Sequence, residues 1–502
     1  MTVVRCSIVE LPTDILLLLA SWMNVEDLLN FLATCRALQE LKTLPTLWLA
    51  AIRQTELIRH HPITSFQGDL TSLRLAQLEA LAHRAARILR NLDSATPRLS
   101  FLGSFATWVL APTMFIPGTR LLLVQVSGSG ELACWDVVTQ RCVARKAVPR
   151  LELFSVPCVW MGSSAIFGGC ARNPEDHDEI AKLATIHIDV KRNLKPVITV
   201  VWSADVGHRI RVRYPEQFLT SEVLGYANED EIIWWDLESD IIQRRSNAFP
   251  VDSTHRVPTS GLVYHADSKR LYAFSLAAKD GKANGALHSI ALRPSLAGPN
   301  AALDQPITHA IPIRFPQDPP PDARLSGFVS MLTSPASHAK YAIPVVTHRA
   351  FVTPDETNEA ENFLHFFAAP GLGSGDVHSV PYAIPPVYSD VRCEIGVSGR
   401  YVALNCAPTH TGTSVAAAAP LIGLVRLRAG EPDLRPLHAK QPPPPGQVAL
   451  DDILGLLTVR DGHGVVHAYS YSGDWGKGRA VGRRIAKQGA GLLRRILPGG
   501  TQ

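Results

Sequence analysis

The stretch from Phe115 to Val148, FIPGTRLLLVQVSGSGELACWDVVTQRCVARKAV, decides the fold. Its apolar runs are cut by Gly, Ser and Asp, so it reads as a strand, a tight turn, a strand ending in Trp135-Asp136, a turn and a further strand. A second stretch, Gly207 to Arg245, follows the same grammar: Gly207-His208 leads into FLTSEVLGYANEDEIIWWDLESDIIQRR, where Trp235-Asp236 closes a strand. Everything after Pro97 is of this kind. The helical period disappears there, and short runs of Val, Ile, Leu and aromatics alternate with Gly, Pro, Asn, Asp and Ser, which is the pattern of many antiparallel strands.

These two stretches resemble WD-type propeller blades, in which a four-stranded sheet repeats about every 40 to 45 residues with G-H and W-D punctuation. The markers are His208, Trp135, Asp136, Trp235 and Asp236. An unrelated sandwich or barrel is the plainer alternative. Looser candidate units are Ser163 to Ser203, Gly261 to Leu292, Gly327 to Gly371, Val391 to Arg428 and Ile453 to Tyr471, which with the first two predict about seven blades; six or eight stay open because these units lack W-D. Leu99 to Pro112 is a candidate for the strand that closes the ring on the last blade, removing the sheet edges that invite aggregation. Wet or proline-rich connections, Asn173 to Glu179, Pro312 to Pro321, Pro354 to Asn362 and Gln441 to Gly446, would rim the faces.

The N-terminal part is different. Leu11 to Trp48, LPTDILLLLASWMNVEDLLNFLATCRALQELKTLPTLW, is helical in pattern and too apolar for its length. A module of about fifty residues buries only about 60% of its surface, so its many Leu, Ile, Phe and Trp side chains cannot all face inward, and a partner is expected. Pro12 suits a first helical turn, and Thr13 or Asp14 a cap. Residues Asn24-Val25-Glu26-Asp27 read as a break with Asp27 capping the next helix, and Pro45 reads as an interruption leaving Leu47 and Trp48 on a final turn. Leu11-Pro12, Ile15-Leu16, Asp27-Leu28-Leu29, Cys35-Arg36 and Leu47-Trp48 resemble the F-box in order and spacing, with Leu38 standing where that family often has an aromatic. The resemblance implies binding of Skp1, and through it of cullin and RING subunits, with Leu11, Pro12, Ile15, Leu16, Leu28, Leu29, Cys35, Leu47 and Trp48 at or behind the interface. Asp69 to Leu92 has an amphipathic helical period and reads as a semi-rigid spacer, with Arg74, Arg84, Arg87 and Arg90 largely on its wetter side.

The predicted class is therefore α+β and multidomain, resembling fungal F-box proteins: an F-box at 5–54, a linker with its helix at 55–96, an irregular all-β propeller at 97–475 and a basic tail at 476–502. At 502 residues the chain exceeds a single core. Its net charge of +4 is too mild to point to nucleic acid. No signal peptide is expected, because Glu10 and Asp14 interrupt the apolar start, and Val415 to Val425 is too short to span a membrane. The cysteines, Cys6, Cys35, Cys134, Cys142, Cys158, Cys170, Cys393 and Cys406, form no C-x-x-C pair, which favours a reducing compartment, cytoplasmic or nuclear. The tail, with Arg483, Arg484, Lys487, Arg494 and Arg495, suits an acidic partner, an anionic surface or an import receptor.

No catalytic, metal or cofactor motif is present in the sequence. The function expected is that of a non-catalytic substrate-recognition subunit of an SCF-type ubiquitin ligase, whose propeller captures a protein not identifiable from the sequence. Alternatives are a Skp1-binding scaffold acting outside ubiquitylation, or an enzyme that carries an F-box and builds its site at the propeller axis. Arg209, Arg211 and Arg213 are candidates for a phosphate-binding pocket by charge alone; their alternation also fits the wet side of a strand.

Overall fold

Five helices open the chain in this computed structural model, which describes residues 11–59, 70–107, and the strands between 113 and 472 with their shorter turns. His208, Arg209, Arg211, Arg213, most of the wet connections and the tail at 476–502 lie outside the described residues. The helices are α1 (Thr13–Ser21), α2 (Val25–Ala33), α3 (Arg36–Gln39), α4 (Pro45–Arg59) and α5 (Leu75–Leu92). Pro12 precedes α1 with extended ψ, and neither Thr13 nor Asp14 caps it. Asn24, not Asp27, caps α2: its side-chain oxygen accepts from the N–H groups of Glu26 and Asp27 at 2.9 and 3.0 Å. Asp27 lies in the first turn, where a negative charge is favoured.

Pro45 starts a helix rather than interrupting one. At the first helical position its missing N–H costs nothing, and it opens the fifteen-residue α4 with Leu47 and Trp48 in its first turn. Trp48 is fully buried and donates its indole N–H to the Lys42 carbonyl at 3.0 Å. Around it pack Leu16, Ala20, Val25, Leu28, Leu32, Leu38 and Ile52. This core also takes Leu78, Ala82, Ala85 and Ala86 from the first half of α5.

Among the described residues the strands after α5 form eight sheets, two of them hairpins that share one blade position, so seven positions follow in chain order. The first blade is Thr113–Phe115, Leu121–Val126, Glu131–Asp136 and Arg141–Ala147, an antiparallel meander. Blades with their long strands at Ser164–Arg172 and Ile180–Asp189, at Val223–Ala227 and Glu231–Asp236, at Arg270–Lys279 and Lys282–Ala291, and at Tyr401–Pro408 and Leu421–Arg426 repeat that plan. Between the last two, two hairpins lie side by side, Phe328–Met331 with Val345–His348 and Asn362–Ala368 with His378–Ile384. The final blade begins at Gln447–Asp451, earlier than the Ile453 expected from sequence, because QPPPPG leads straight into its inner strand. Apolar side chains of neighbouring sheets interdigitate, as where Ile116, Leu123 and Cys134 of the first blade meet Phe167, Ile186 and Ile188 of the second. The fold is a WD40-like β-propeller behind a helical module.

The ring is closed by the strand Arg98–Ala106, which pairs antiparallel with Val465–Ser470 from Ser100↔Ser470 to Ala106↔Val465. Phe105 of this strand stacks on Trp135 of the first blade, with centroids 4.7 Å apart. Its one irregularity falls between Phe101 and Gly103, where Gly103 takes φ +146° and leaves room for the Gln140 side chain, which donates to the Leu102 carbonyl at 2.9 Å. An ideal Cβ at Gly103 would fall 1.5 Å from Gln140 Nε2. Gly103→Ala combines this clash with a backbone conformation that L-residues avoid, and should cost about 1–3 kcal/mol in denaturant unfolding, with a Gln140→Ala background recovering only the steric part.

Candidate protein-docking site

The outward face of α1 is apolar. Ile15, Leu18, Leu19 and Trp22 recur at i, i+3, i+4 and i+7, the spacing of a single helical stripe. All are exposed, Leu18 at 58% and Trp22 at 72%, while Leu16 and Ala20 on the opposite side are buried. Leu57, on α4 alongside, is exposed as well. Contiguous apolar surface of this kind on a folded module marks an interaction site.

The positions singled out from sequence divide between this surface and the core behind it. Pro12 and Ile15 are exposed, and Leu11, Leu29 and Cys35 are half-buried. Leu16, Leu28, Leu47 and Trp48 are buried, with Leu28 and Trp48 at 0%. Leu18, Leu19 and Trp22 were not singled out, although the i, i+3, i+4, i+7 period was readable in LLLLASW. An acidic substitution at Leu28 therefore reports on folding of the module, not on a surface.

The blade markers have a structural role. Asp136 Oδ1 accepts from the N–H groups of Val138 and Thr139 at 2.9 and 3.1 Å, and Asp236 Oδ1 from those of Glu238 and Ser239 at 3.1 and 3.2 Å. The turns then end in Gln140 and Asp240, both with positive φ. The Asp side chain thus satisfies the N–H groups that the strand leaves open, and the following left-handed residue starts the outer strand. Asp136 also pairs with Arg120 at 3.2 Å, and the Trp235 indole donates to Asp240 at 2.8 Å.

A meander places its first-to-second and third-to-fourth turns on one face of the ring and its remaining connections on the other. Helix α5 lies on the first of these faces. Ile88 packs against Gly455, and Asn91 donates to the carbonyls of Arg98 and Tyr471 at 2.7 and 2.6 Å. Arg435 donates to the carbonyls of Leu92 and Ser94 at 3.0 and 3.2 Å, beyond the end of α5, where Asp93 pairs with Arg426 at 2.7 Å. The described strand ends at Arg172 and Ile180, and the turn Asp461–Gly464, belong to the opposite face.

Among the described residues no group of His, Cys, Asp and Glu has the arrangement of a metal site, and no helix is long and apolar enough to cross a membrane. Cys134, Cys158, Cys170 and Cys406 are buried, whereas Cys35 and Cys142 are half-buried. Burial pushes the thiols of Cys134 and Cys170 up to about 12 and that of Cys158 well up. Only the thiolate reacts with alkylating reagents. Iodoacetamide at mildly alkaline pH should therefore modify Cys35 and Cys142 in the folded protein and reach Cys134, Cys158 and Cys170 only after denaturation, as read by peptide mass spectrometry.

No protein-family model and no curated protein matches the chain. Among solved structures it is similar to the Myceliophteria thermophila Cps50 (Swd1) β-propeller domain, with 13% identity and TM-score 0.43 over 73% of this chain and 99% of that one. It is also similar to a chain of the Mitotic Checkpoint Complex, with 11% identity and TM-score 0.38 over 75% of this chain and 92% of that one. Neither likeness bears on partners; the propeller rests on the sheet order and ring closure of this chain itself.

Proposed function

We propose that this chain is the substrate-recognition subunit of an SCF-type E3 ubiquitin ligase, working in the cytoplasm or nucleus. In this reading the helical module binds Skp1, and the propeller holds a target protein on the face that α5 leaves open. The observation that carries the proposal is the uncovered stripe Ile15, Leu18, Leu19 and Trp22 on a helix whose other side is core, within a segment that resembles the F-box. The subunit itself would catalyse nothing. It would raise the local concentration of the target beside a ubiquitin-charged enzyme, and the effect would be one of proximity.

Covering an exposed Leu or Trp contributes about 1.5–3 kcal/mol, and aromatic anchors dominate such interfaces. Leu18→Asp/Trp22→Ala, both on the exposed stripe, should lower affinity for purified Skp1 by about 100-fold or more while leaving the thermal unfolding midpoint nearly unchanged. Leu28→Asp should abolish binding together with the cooperative unfolding of the helices. Full binding by the double variant in a pulldown or calorimetric titration would remove α1 from the interface, and absence of binding by the parent chain would remove Skp1 from the proposal.

A further inference from the structure

The outermost strand of the second blade, Val197–Asp205, is a sheet edge. Its residues Val197 to Trp202 pair without a break with Asp189 to Ala184 of the neighbouring strand, and its one register shift falls beyond Trp202. Ile198, Val200 and Trp202 join the core that the second blade shares with the first. Val197, Thr199 and Val201 turn the other way, as strand alternation requires. All three are exposed, Val197 at 59% and Val201 at 44%.

A bare row of backbone N–H and C=O groups beside β-branched side chains is a template for a further strand, and proteins blunt such edges with charge, proline, a bulge or a cover. Among the described residues, each other outer strand of the ring carries such a device. Arg141–Ala147 has Arg145 and Lys146, Ile241–Ser246 has Arg244 and Arg245, Ile307–Pro312 and His378–Ile384 contain Pro312 and Pro381, and Asp433–Pro436 has Arg435 and Pro436. The closing strand has its irregularity at Gly103, with Gln140 on the Leu102 carbonyl and Ala439 beside Leu99. Val197 to Ala204 holds neither charge nor proline. Charge stands only at the flanks, Lys195 before the strand and Asp205 at its end, and both are exposed.

We propose that this edge pairs with the same edge of a second copy of the chain, joining two propellers through one continuous sheet. The flanking charges select both the occupant and its direction. In an antiparallel pair with Val200 on the two-fold axis, Thr199 lies opposite the partner's Val201, and the basic flank at Lys195 meets the acidic flank at the partner's Asp205, twice over by symmetry. A parallel pair would instead set each flank against its like. Asp205 has room for the contact, since its side chain is 73% exposed while it holds Lys182 of its own chain at 3.3 Å. The symmetry keeps Val197, Thr199 and Val201 of both copies on one side of the joint sheet, where they cover one another. Each copy offers one such edge among its described residues, so the pairing closes at two chains. It uses none of the α1 surface and stands apart from the binding of Skp1.

Analytical ultracentrifugation of the full chain from about 1 to about 100 μM tests the pairing, at low ionic strength where the flanking charges are least screened. The parent chain is expected to pass from one-chain to two-chain mass within that range. Val201→Lys places a charge in the middle of the exposed edge, twice by symmetry, and should weaken association by about 10-fold or more with an unchanged thermal unfolding midpoint. Lys195→Glu and Asp205→Lys should each weaken it several-fold, because like charges then face each other. An equimolar mixture of these two variants should regain the parent's association, since each basic flank again meets an acidic one. A packing role for either side chain would leave the mixture as weak as its components. A parent chain that stays at one-chain mass would overturn the proposal, as would association indifferent to Val201→Lys, a mixture no tighter than its components, or masses that climb past two chains.

Discussion

Pairing of Arg98–Ala106 with Val465–Ser470 is the constraint on which the rest of the molecule depends. Without it the propeller would be an open stack with two bare sheet edges, and the final blade would lose its outer strand. The pairing also explains how the helical module is attached. The closing strand follows α5 after a short turn, so the helix that completes the N-terminal core is covalently tethered to the seam of the ring. Helix α5 is for this reason more than a spacer. Its first half is part of the core around Trp48, and Ile88 and Leu92 of its second half join Leu99, Leu450, Leu457 and Tyr469 under the last blades.

The polar contacts at that junction work with the apolar ones. The last carbonyls of a helix have no partners within it; here Arg435 reaches them, while Asn91 answers the ends of two strands. Arg90 pairs with Glu26 of α2 at 2.9 Å, linking the helical module from its other side. Surface pairs of this type contribute little individually. Their value here is directional: they fix how α5 is rotated, and hence where the α1 stripe points relative to the ring.

Much of the architecture was legible in the sequence because it depends on period and punctuation. Alternating apolar runs marked the strands, each candidate unit overlaps one strand group although the last begins before Ile453 and two others run past the expected ends, and Leu99 to Pro112 was recognisable as the closing strand by its place between helix and first blade. What was not legible depends on three-dimensional neighbours. Pro45 has the same letter whether it ends a helix or begins one, and only the fit of Trp48 into the core decides. Leu28 and Leu18 are equally apolar, yet one is core and the other surface, because α4 and α5 cover one side of the bundle and, among the described residues, none covers the outer side of α1. Asp451 and Asp452 read as an ordinary polar turn; their burial arises from Ser398 and Gly118, far away in sequence.

Closure between strands so distant in sequence also sets a schedule for synthesis. Thr107, at the end of the closing strand, bonds to the Gly464 carbonyl across a separation of 357 residues. At roughly 5–20 residues per second this is an interval of roughly 20 to 70 seconds in which the early strand exists without its partner. Throughout that time the α1 stripe is already made while the ring is incomplete. The α1 stripe is thus a sticky surface made well before the ring it is joined to can close.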